Sequence, residues 1–259
     1  MNWRMTMFEV NTVYVGDCID VMETFPDASI DLVFADPPYR MDRGIGVIQR
    51  PEGGTFEGST DDWDKFDTLQ HYMDFTRSWI MAVKRLMKPI SSLWVIGDYH
   101  CIHTIGHILM EQGWFILNDV FWVKPNPVPQ MRGVRFCNSV ETLIWAVPSR
   151  KHRYTFNYHL MKELNGGKQM RADWNGISIC IGKERLRDEN GNKKHSTQKP
   201  GKLLERVILS TTNEGDIILD PFFGSGTTGA IAKKLNRQWV GIERLEHYAD
   251  IAIERISNV

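Results

Sequence analysis

The sequence predicts an α/β fold, with a mainly parallel sheet and helices on both faces. The first observation is that short apolar segments of strand length alternate along the chain with longer amphipathic segments of helix length. The second is the composition. With 42% apolar residues, 9 Trp and 12 Phe, the chain can bury a sizeable core. Its 259 residues fit a single domain, predicted to span residues 1–259.

The predicted elements follow one another in a regular alternation. The strand candidates are residues 12–15, 32–35, 92–96, 115–123, 142–146, 217–219 and 239–242. The helix candidates are residues 19–24, 72–87, 102–112, 201–211, 227–235 and 246–257.

Two stretches interrupt this alternation. Residues 40–62 are Gly-rich and polar, which predicts a loop over a site. Residues 125–195 are long, basic and aromatic, and they begin in a Pro-rich run typical of turns. This second stretch is the candidate for an inserted, substrate-reading region.

Charge is segregated along the chain although the net charge is only −1. Residues 124–202 hold 16 Lys and Arg against 6 Asp and Glu, whereas the remainder holds 15 against 26. This division favours a protein that turns one face toward phosphates, the alternative being solvated charge scattered over long loops. The candidate nucleic-acid contacts are Lys124, Asn126, Arg132 and Arg135.

Cysteine usage and hydropathy exclude several classes of protein. Cys18, Cys101, Cys137 and Cys180 are far apart and form no CxxC pair, which argues against a zinc site and a disulfide framework. No apolar run reaches membrane-spanning length, and the first residues are too polar for a signal peptide. The prediction is a reduced, cytoplasmic protein without a membrane segment or a bound metal.

The first candidate site is Asp36-Pro37-Pro38-Tyr39, directly after the apolar strand 32–35. Two prolines stiffen a turn at the carboxyl end of a strand, where open α/β sheets bind ligands. The Asp36 carboxylate and the Pro37 carbonyl can accept hydrogen bonds from an amine, and Tyr39 can stack on a base. Together they would favour a pyramidal amine nitrogen able to attack a methyl group. Four residues alone leave open a plain strand-ending turn.

The second candidate site follows the strand 217–219. A Gly-x-Gly turn opens a helix there, and free N–H groups at a helix N-terminus can meet a ligand. Gly229 stands where the third glycine of a dinucleotide-binding Gly-x-Gly-x-x-Gly motif would be. The Phe pair before the first glycine is not part of that motif, however, and a Gly-x-Gly alone is weak evidence for a cofactor site. The candidate cofactor residues here are Asp220, Phe222, Gly224, Ser225, Gly226, Thr227 and Thr228.

Two further acids follow predicted strands. Glu243 ends the strand 239–242, where an acid after a Gly-rich turn is placed to hold ribose hydroxyls. Asp17, followed by Cys18, comes after the strand 12–15 and could accept from a cofactor amine. Each acid could equally be a helix N-cap. Their recurrence at several strand ends favours one shared site.

Taken together, these motifs resemble the β-class amino-methyltransferases of DNA. In that class the catalytic motif precedes the cofactor motif, with the target-recognition region between them. The resemblance covers nearly the whole chain, and it is closest to the cell-cycle-regulated and GANTC-type adenine methyltransferases. The segments that carry it are residues 16–18, 36–39, 94–100, 117–119, 141–146, 154–158, 197–200 and 220–224.

The resemblance implies roles for particular residues and an S-adenosylmethionine cofactor. Asp36 to Tyr39 would be the catalytic motif, with Tyr39 stacking on a flipped base and Asp36 also meeting the cofactor. Asp17 and Cys18 would line the cofactor adenine, and Glu243 would bind its ribose. The Gly-rich turn would wrap the methionine end together with Gln198 and Lys199. The implied fold is a Rossmann-like methyltransferase sheet of seven strands with circularly permuted motif order.

The implied function is site-specific methylation of adenine N6 in double-stranded DNA, with GANTC as the candidate target. Cytosine N4 is an alternative in the same chemistry, and RNA or a protein amide is an alternative substrate class. A catalytically silent DNA-binding protein is an alternative of another kind. A dehydrogenase would leave residues 36–39 without a purpose. A homodimer and a cognate restriction endonuclease are the expected partners besides DNA. Unlike GANTC-type members, the sequence ends one helix after Glu243.

Overall fold

The computed structural model describes residues 8–40, 47–49, 55–57, 64–130, 133–192, 194 and 197–259. Strands and helices alternate through most of these residues. The strands are β1 (Thr12–Val15), β2 (Ile30–Ala35), β3 (Val47–Gln49), β4 (Thr55–Glu57), β5 (Met87–Gly97), β6 (Phe115–Val123), β7 (Val140–Val147), β8 (Asp173–Trp174), β9 (Ile217–Asp220) and β10 (Gln238–Glu243). The helices are α1 (Cys18–Glu23), α2 (Leu69–Leu86), α3 (Ile102–Glu111), α4 (Tyr158–Leu164), α5 (Gly201–Thr211), α6 (Thr227–Lys234) and α7 (Glu246–Ser257).

Within the described ranges, an 8-stranded sheet forms the centre of the molecule in the order β1-β10-β9-β2-β5-β7-β6-β8. Neighbouring strands are parallel except around β7, which is antiparallel to both β5 and β6. The carboxyl ends of the other strands therefore meet at one edge of the sheet, and β7 begins at that same edge. Strands β3 and β4 form a separate hairpin.

Helices cover both faces of the sheet because the strands are apolar on both sides. Strand β2 shows this alternation: Val33 and Ala35 pack into one buried cluster, and Leu32 and Phe34 pack into the other. The first cluster receives side chains from α1, α2 and α3, and the second receives them from α5, α6 and α7. This arrangement leaves the loops at the carboxyl edge free to form a site.

The fold class predicted from the sequence is confirmed, and each predicted strand and helix has a counterpart. The predicted number of strands differs from the observed one, because β8 adds an edge strand beside β6. Two residues, Asp173 and Trp174, are too few to show a period in the sequence. The hairpin of β3 and β4 and the helix α4 were also not predicted. The hairpin lies within residues 40–62, which were predicted to be a loop, and α4 lies within the predicted insertion 125–195, where only the strand at 142–146, observed as β7, was predicted.

The order of strands along the chain is permuted relative to their order in the sheet. Strands β9 and β10 come last in the sequence but lie in the interior of the sheet, between β1 and β2. Among the described helices, none combines the length and the apolar character needed to cross a bilayer.

Candidate active site

A cavity of about 320 Å³ opens at the carboxyl edge of the sheet. Four acids named from the sequence line it: Asp17 after β1, Asp36 after β2, Asp220 at the end of β9 and Glu243 at the end of β10. They meet because parallel strands in the order β1-β10-β9-β2 end side by side. The structure thus brings Asp36 and Pro38 of the catalytic candidates to the same cavity as most of the cofactor candidates, whereas Pro37, Tyr39 and Gly226 are not among its lining residues.

The motif Asp36 to Tyr39 is held rigidly where β2 ends. The hydroxyl of Tyr72, buried on α2, donates to the Pro38 carbonyl at 3.1 Å. Lys199 Nζ donates to Asp36 Oδ2 at 2.7 Å, and the Tyr39 hydroxyl donates to Asp36 Oδ1 at 2.9 Å. Burial raises the pKa of Asp36, and the Lys199 ammonium opposes this shift. The result is a partly buried carboxylate whose ionised form is favoured by Lys199.

A second carboxylate, Glu141 at the start of β7, completes a buried network around the motif. Lys124 Nζ donates to Glu141 Oε1 at 2.8 Å, and Lys199 Nζ lies 3.8 Å from Glu141 Oε2. Burial alone would raise the pKa of Glu141, but Lys199 and Lys124 outweigh it and hold the pKa below its usual value. Burial would lower the pKa of Lys199, but Asp36 and Glu141 outweigh it and raise the pKa. Two carboxylates and two ammonium groups therefore balance in charge.

The side chain of Glu243, at the end of β10, is hydrogen-bonded to the Gly-rich turn between β9 and α6. Gly224 N–H donates to Glu243 Oε2 at 2.8 Å, and Leu245 N–H donates to Oε1 at 2.9 Å. Gly226 has φ +70°, in the left-handed region, and a Cβ added there would lie 2.7 Å from the Ala252 Cβ. Glycine at this position is therefore required by the backbone conformation and by the close approach of α7.

Asp220 is buried at the end of β9, 3% exposed, and faces the cavity. It accepts hydrogen bonds from the Thr228 hydroxyl at 2.6 Å and from Phe222 N–H at 3.0 Å. Burial is the largest influence and raises the pKa of Asp220 to about 7. A positive charge in the cavity would favour the ionised form of this carboxyl.

The two phenylalanines of the turn have different positions. Phe223 is buried, stacks on Trp239 with ring centroids 5.4 Å apart, and covers Gly241. Phe222 turns the other way, contacts Trp79 edge to face with centroids 5.5 Å apart, and lines the cavity. Phe223 thus belongs to the core, and only Phe222 was named from the sequence as a cofactor residue.

The remaining cofactor candidates also reach the cavity wall. Asp17 caps α1 by accepting from Ile19 N–H at 2.9 Å, so it is both a cap and a lining residue. Burial raises the pKa of the Cys18 thiol to about 12. Gln198 lines the cavity and is anchored, because its side chain donates to the Glu184 carbonyl at 2.7 Å. Other lining residues of the turn and its helix are Gly224, Ser225, Thr227 and Thr228.

These residues fit an S-adenosylmethionine molecule by their chemistry. Ligand pockets occupy about 300–1,000 Å³, and this cavity is at the lower end of that range. The Glu243 carboxylate accepts hydrogen bonds from the backbone N–H groups of Gly224 and Leu245. An ionised carboxylate has about four acceptor sites, so others remain for a ligand. It can therefore also accept from ribose hydroxyls. Acids lining the wall suit a cationic ligand, and Phe222 offers an aromatic face.

Comparisons with known proteins identify the family. A model of the DNA methylase family, which covers N6 and N4 methyltransferases, matches residues 30–254, most of the chain.

The chain belongs to the N6/N4 DNA methylase family.

Curated relatives agree with this assignment. The methylase is 49% identical over 250 residues to the type II methyltransferase M.HinfI of Haemophilus influenzae, covering 96% of this chain and 69% of the relative. It is 41% identical over 242 residues to the type II methyltransferase M2.DpnII of Streptococcus pneumoniae, covering 93% of this chain and 87% of the relative. The prediction of a DNA methyltransferase is confirmed, and DNA is its substrate.

Solved structures resemble the methylase in fold. A crystal structure of M1.HpyAVI with SAM is 27% identical, with a TM-score of 0.62, and covers 94% of this chain and 98% of that one. The cytosine-N4-specific PvuII DNA methyltransferase is 24% identical, with a TM-score of 0.71, and covers 94% of this chain and 85% of that one. The methylase is thus an S-adenosylmethionine-dependent enzyme with the predicted methyltransferase fold.

The four predicted DNA contacts have different surroundings. Lys124 is engaged by Glu141 in the buried network, and Asn126 Oδ1 accepts from Ile179 N–H at 3.2 Å. Arg135 is exposed, with its guanidinium 6.0 Å from the ring centre of Tyr99. Arg132 lies outside the described residues, as does most of residues 40–62. The contacts of these residues with DNA stay predictions.

Several residues of the site were not predicted from the sequence. Phe66 and Phe75 line the cavity, with ring centroids 5.4 Å apart, and Phe75 contacts Phe222 at 6.1 Å. Tyr248 on α7 also lines the cavity. The only sequence signal for Phe66 and Phe75 was an aromatic pair around the start of a helix that follows a polar loop. That pattern is equally typical of ordinary core packing.

Proposed function

We propose that the methylase transfers a methyl group to adenine N6 in double-stranded DNA, and that residues 36–39 carry the chemistry. The observation that supports this most directly is the position of Asp36. Its carboxylate lies at the end of β2 on the wall of the cavity proposed for the cofactor. An amine held by Asp36 would lie beside the methyl donor, with the base extruded from the duplex.

The proposed cofactor residues divide into three groups according to the part of S-adenosylmethionine that each would meet. Glu243 would hold the ribose hydroxyls of the cofactor, while Asp17 and Cys18 would line its adenine. Asp220 and the Gly-rich turn surround the methionine end. When bound, S-adenosylmethionine supplies an activated methyl group on a positively charged sulfur. Asp36, Gln198 and Lys199 line the same cavity. The other proposed cofactor residues of this group that line it are Asp220, Phe222, Gly224, Ser225, Thr227 and Thr228.

Asp36 and its neighbours act on the target amine. The amine nitrogen of a base is a poor nucleophile because its lone pair is delocalised into the ring. Hydrogen bonds from the amine to Asp36 and to the Pro37 carbonyl favour a pyramidal nitrogen, which stabilises the transition state. With S-adenosylmethionine bound, this nitrogen would take the activated methyl group, the sulfur would leave with the bonding electrons, and the nitrogen would then lose a proton. Burial raises the pKa of Asp36, so this carboxylate is a suitable acceptor for that proton.

Tritiated methyl transfer from S-adenosylmethionine to duplex DNA tests the proposal, with the methylated nucleosides separated afterwards. The expected product is N6-methyladenine, and GANTC, the sequence suggested by the resemblance, is the first target to compare with scrambled duplexes. N4-methylcytosine as the product would contradict the choice of base. Absence of transfer to any duplex would favour a silent DNA-binding protein.

Replacing Asp36 tests its catalytic role. Asp36→Asn is expected to lower kcat about a hundredfold to a thousandfold, the cost of losing a transition-state hydrogen-bond partner. The matched control is Asp250→Asn at an exposed position of α7. Thermal melting and DNA binding should be similar in both variants. Turnover of Asp36→Asn near that of the unmodified protein would remove Asp36 from the chemistry.

The proposal extends to partners and location. We propose a cytoplasmic homodimer whose functional partner in the cell is a cognate restriction endonuclease. The support is the similarity to type II methyltransferases. Light scattering of the purified protein tests the dimer, and a monomer at assay concentrations would contradict it.

A further inference from the structure

The Tyr39 hydroxyl lies between two carboxylates. Its oxygen is 2.9 Å from Asp36 Oδ1 and 3.2 Å from Glu141 Oε2. A phenol has one proton and donates one hydrogen bond, so these two bonds are alternatives. Both distances start from the same oxygen. Rotation about the C–O bond therefore exchanges the acceptors while the ring stays in place.

Two donors already meet Asp36, the proposed acceptor for the target amine. Lys199 Nζ donates to Asp36 Oδ2 at 2.7 Å, and the Tyr39 hydroxyl covers Oδ1. The amine and this hydroxyl would share Oδ1, and turning the hydroxyl toward another acceptor would leave that oxygen to the amine. Leaving a buried hydroxyl unsatisfied costs about 1–3 kcal/mol. A second acceptor within reach removes that cost.

Glu141 is suited to be the second acceptor. Its side chain is 14% exposed and is fixed from the other side by Lys124 Nζ at 2.8 Å. Lys199 and Lys124 keep it ionised, since together they outweigh the effect of burial on its pKa. Burial raises the pKa of Tyr39 well above its usual value, so the phenol keeps its proton. Glu141 is absent from the described residues that line the cavity.

We propose that Glu141 is a positioning residue, which receives the Tyr39 hydrogen bond when the target amine engages Asp36. The inference rests on the proposed function of Asp36. Only hydrogen bonds are exchanged: the proton stays on the Tyr39 oxygen and turns from one carboxylate to the other. The ring keeps its orientation and stays available for stacking on the base.

The test is Glu141→Gln in two backgrounds, the unmodified enzyme and Tyr39→Phe. In the unmodified enzyme, the charged Asp36 becomes the preferred acceptor of the hydroxyl, so kcat should fall about tenfold, as for the loss of one charge-assisted hydrogen bond. In the Tyr39→Phe background no hydroxyl competes, and Glu141→Gln should lower kcat less than about twofold. The dissociation constant of S-adenosylmethionine should be unchanged by Glu141→Gln in both.

An electrostatic role of Glu141 predicts a different pattern. If Glu141 only neutralises Lys124 and Lys199, then Glu141→Gln lowers kcat by the same factor in both backgrounds, and the inference is wrong. Glu141→Asp keeps the charge but shortens the reach to Tyr39. It provides the same two-background comparison if Glu141→Gln fails to fold, as judged by thermal melting. Equal factors, with kcat of Asp36→Asn still lowered about a hundredfold or more, would contradict this inference alone. An active Asp36→Asn would contradict the proposed function as well.

Discussion

Asp220 is expected to couple the binding of a cation to pH. Its pKa is raised to about 7, mainly by burial, and its carboxyl lines the cavity. A positively charged ligand favours the ionised carboxylate and lowers this pKa. The affinity for such a ligand therefore rises as the pH increases toward about 7 and becomes constant above it.

We predict this pH dependence for S-adenosylmethionine and a weaker one for S-adenosylhomocysteine, which lacks the positive sulfur. Calorimetric titration of both ligands between pH 5 and about 8.5 measures the difference, over the range in which a carboxyl with this pKa titrates. Asp220→Asn removes the titrating group and should make the two pH profiles parallel. Parallel profiles in the unmodified protein would show that Asp220 does not sense the sulfur charge.

Individual site residues were predictable to different degrees. Asp36, Asp220 and Glu243 follow apolar strands, and parallel topology brings such positions together, so their place at one cavity could be predicted. The hydrogen-bond network of Glu141 with Tyr39 could not be predicted from the sequence. It depends on β7 entering the sheet antiparallel, beside β5 and β6, and the sequence pattern does not reveal strand direction.

At the scale of elements, the contact of α6 with α7 depends on Gly226. A Cβ there would lie 2.7 Å from the Ala252 Cβ and 3.1 Å from its Cα. Gly226→Ala should therefore add about 1–3 kcal/mol of overpacking to about 1–2 kcal/mol of left-handed backbone strain. The free energy of unfolding, measured with urea, should fall by the sum of the overpacking and backbone-strain energies.

Gly166 provides the matched control for this effect. Its φ is +64°, close to that of Gly226, but a Cβ added there meets nothing within 4 Å. Gly166→Ala should cost only the backbone strain, about 1–2 kcal/mol. Equal losses in the two variants would mean that α7 moves aside without cost. Cofactor affinity should fall in Gly226→Ala alone, because its turn borders the cavity.

Elements were predictable where a period is long enough to detect. Helix α5 and helix α7 have the predicted bounds, since each repeats an apolar face over several turns. Strand β8 has two residues and pairs only with β6, so its existence depends on tertiary contacts. Helix α4 lies in an aromatic and basic stretch whose local pattern did not indicate a helix.

At the scale of the whole molecule, basic residues lie at both edges of the sheet, in two separate groups. The segment from Lys124 to Ser139 joins the ends of β6 and β7 at the edge that holds the cavity, and exposed Arg135 lies in it. The loop after Val147 leaves β7 at the opposite edge, and it contains Lys151 and Arg153. DNA engaged by the cavity should therefore meet the first group and not the second.

Salt dependence of DNA binding distinguishes these two basic groups. The logarithm of the association constant falls with the logarithm of salt concentration by about 0.9 for each phosphate neutralised. Replacing Arg132 and Arg135 together with Ala should reduce the slope by about two if both contact phosphates. Relaxed choice at one base pair would instead mark a base reader.

The control is the double replacement of Lys151 and Arg153 with Ala at the far edge, which should leave the slope unchanged. Unchanged slopes in both double variants, on specific and scrambled duplexes, would show that Arg132 and Arg135 do not touch DNA.

The pairing of β1 with β10 has a consequence for how the enzyme is made. Asn11 accepts from Trp239 N–H at 3.2 Å across 228 positions of sequence, and Gly16 N–H donates to the Glu243 carbonyl at 2.9 Å. Asp17 and Glu243 therefore become neighbours only after the ribosome has released β10. The half of the site around Asp36 emerges first and has to wait. A nascent chain without β10 would lack the ribose contact proposed for Glu243, and contacts of such long range form slowly. We therefore expect binding of S-adenosylmethionine only after β10 has paired with β1.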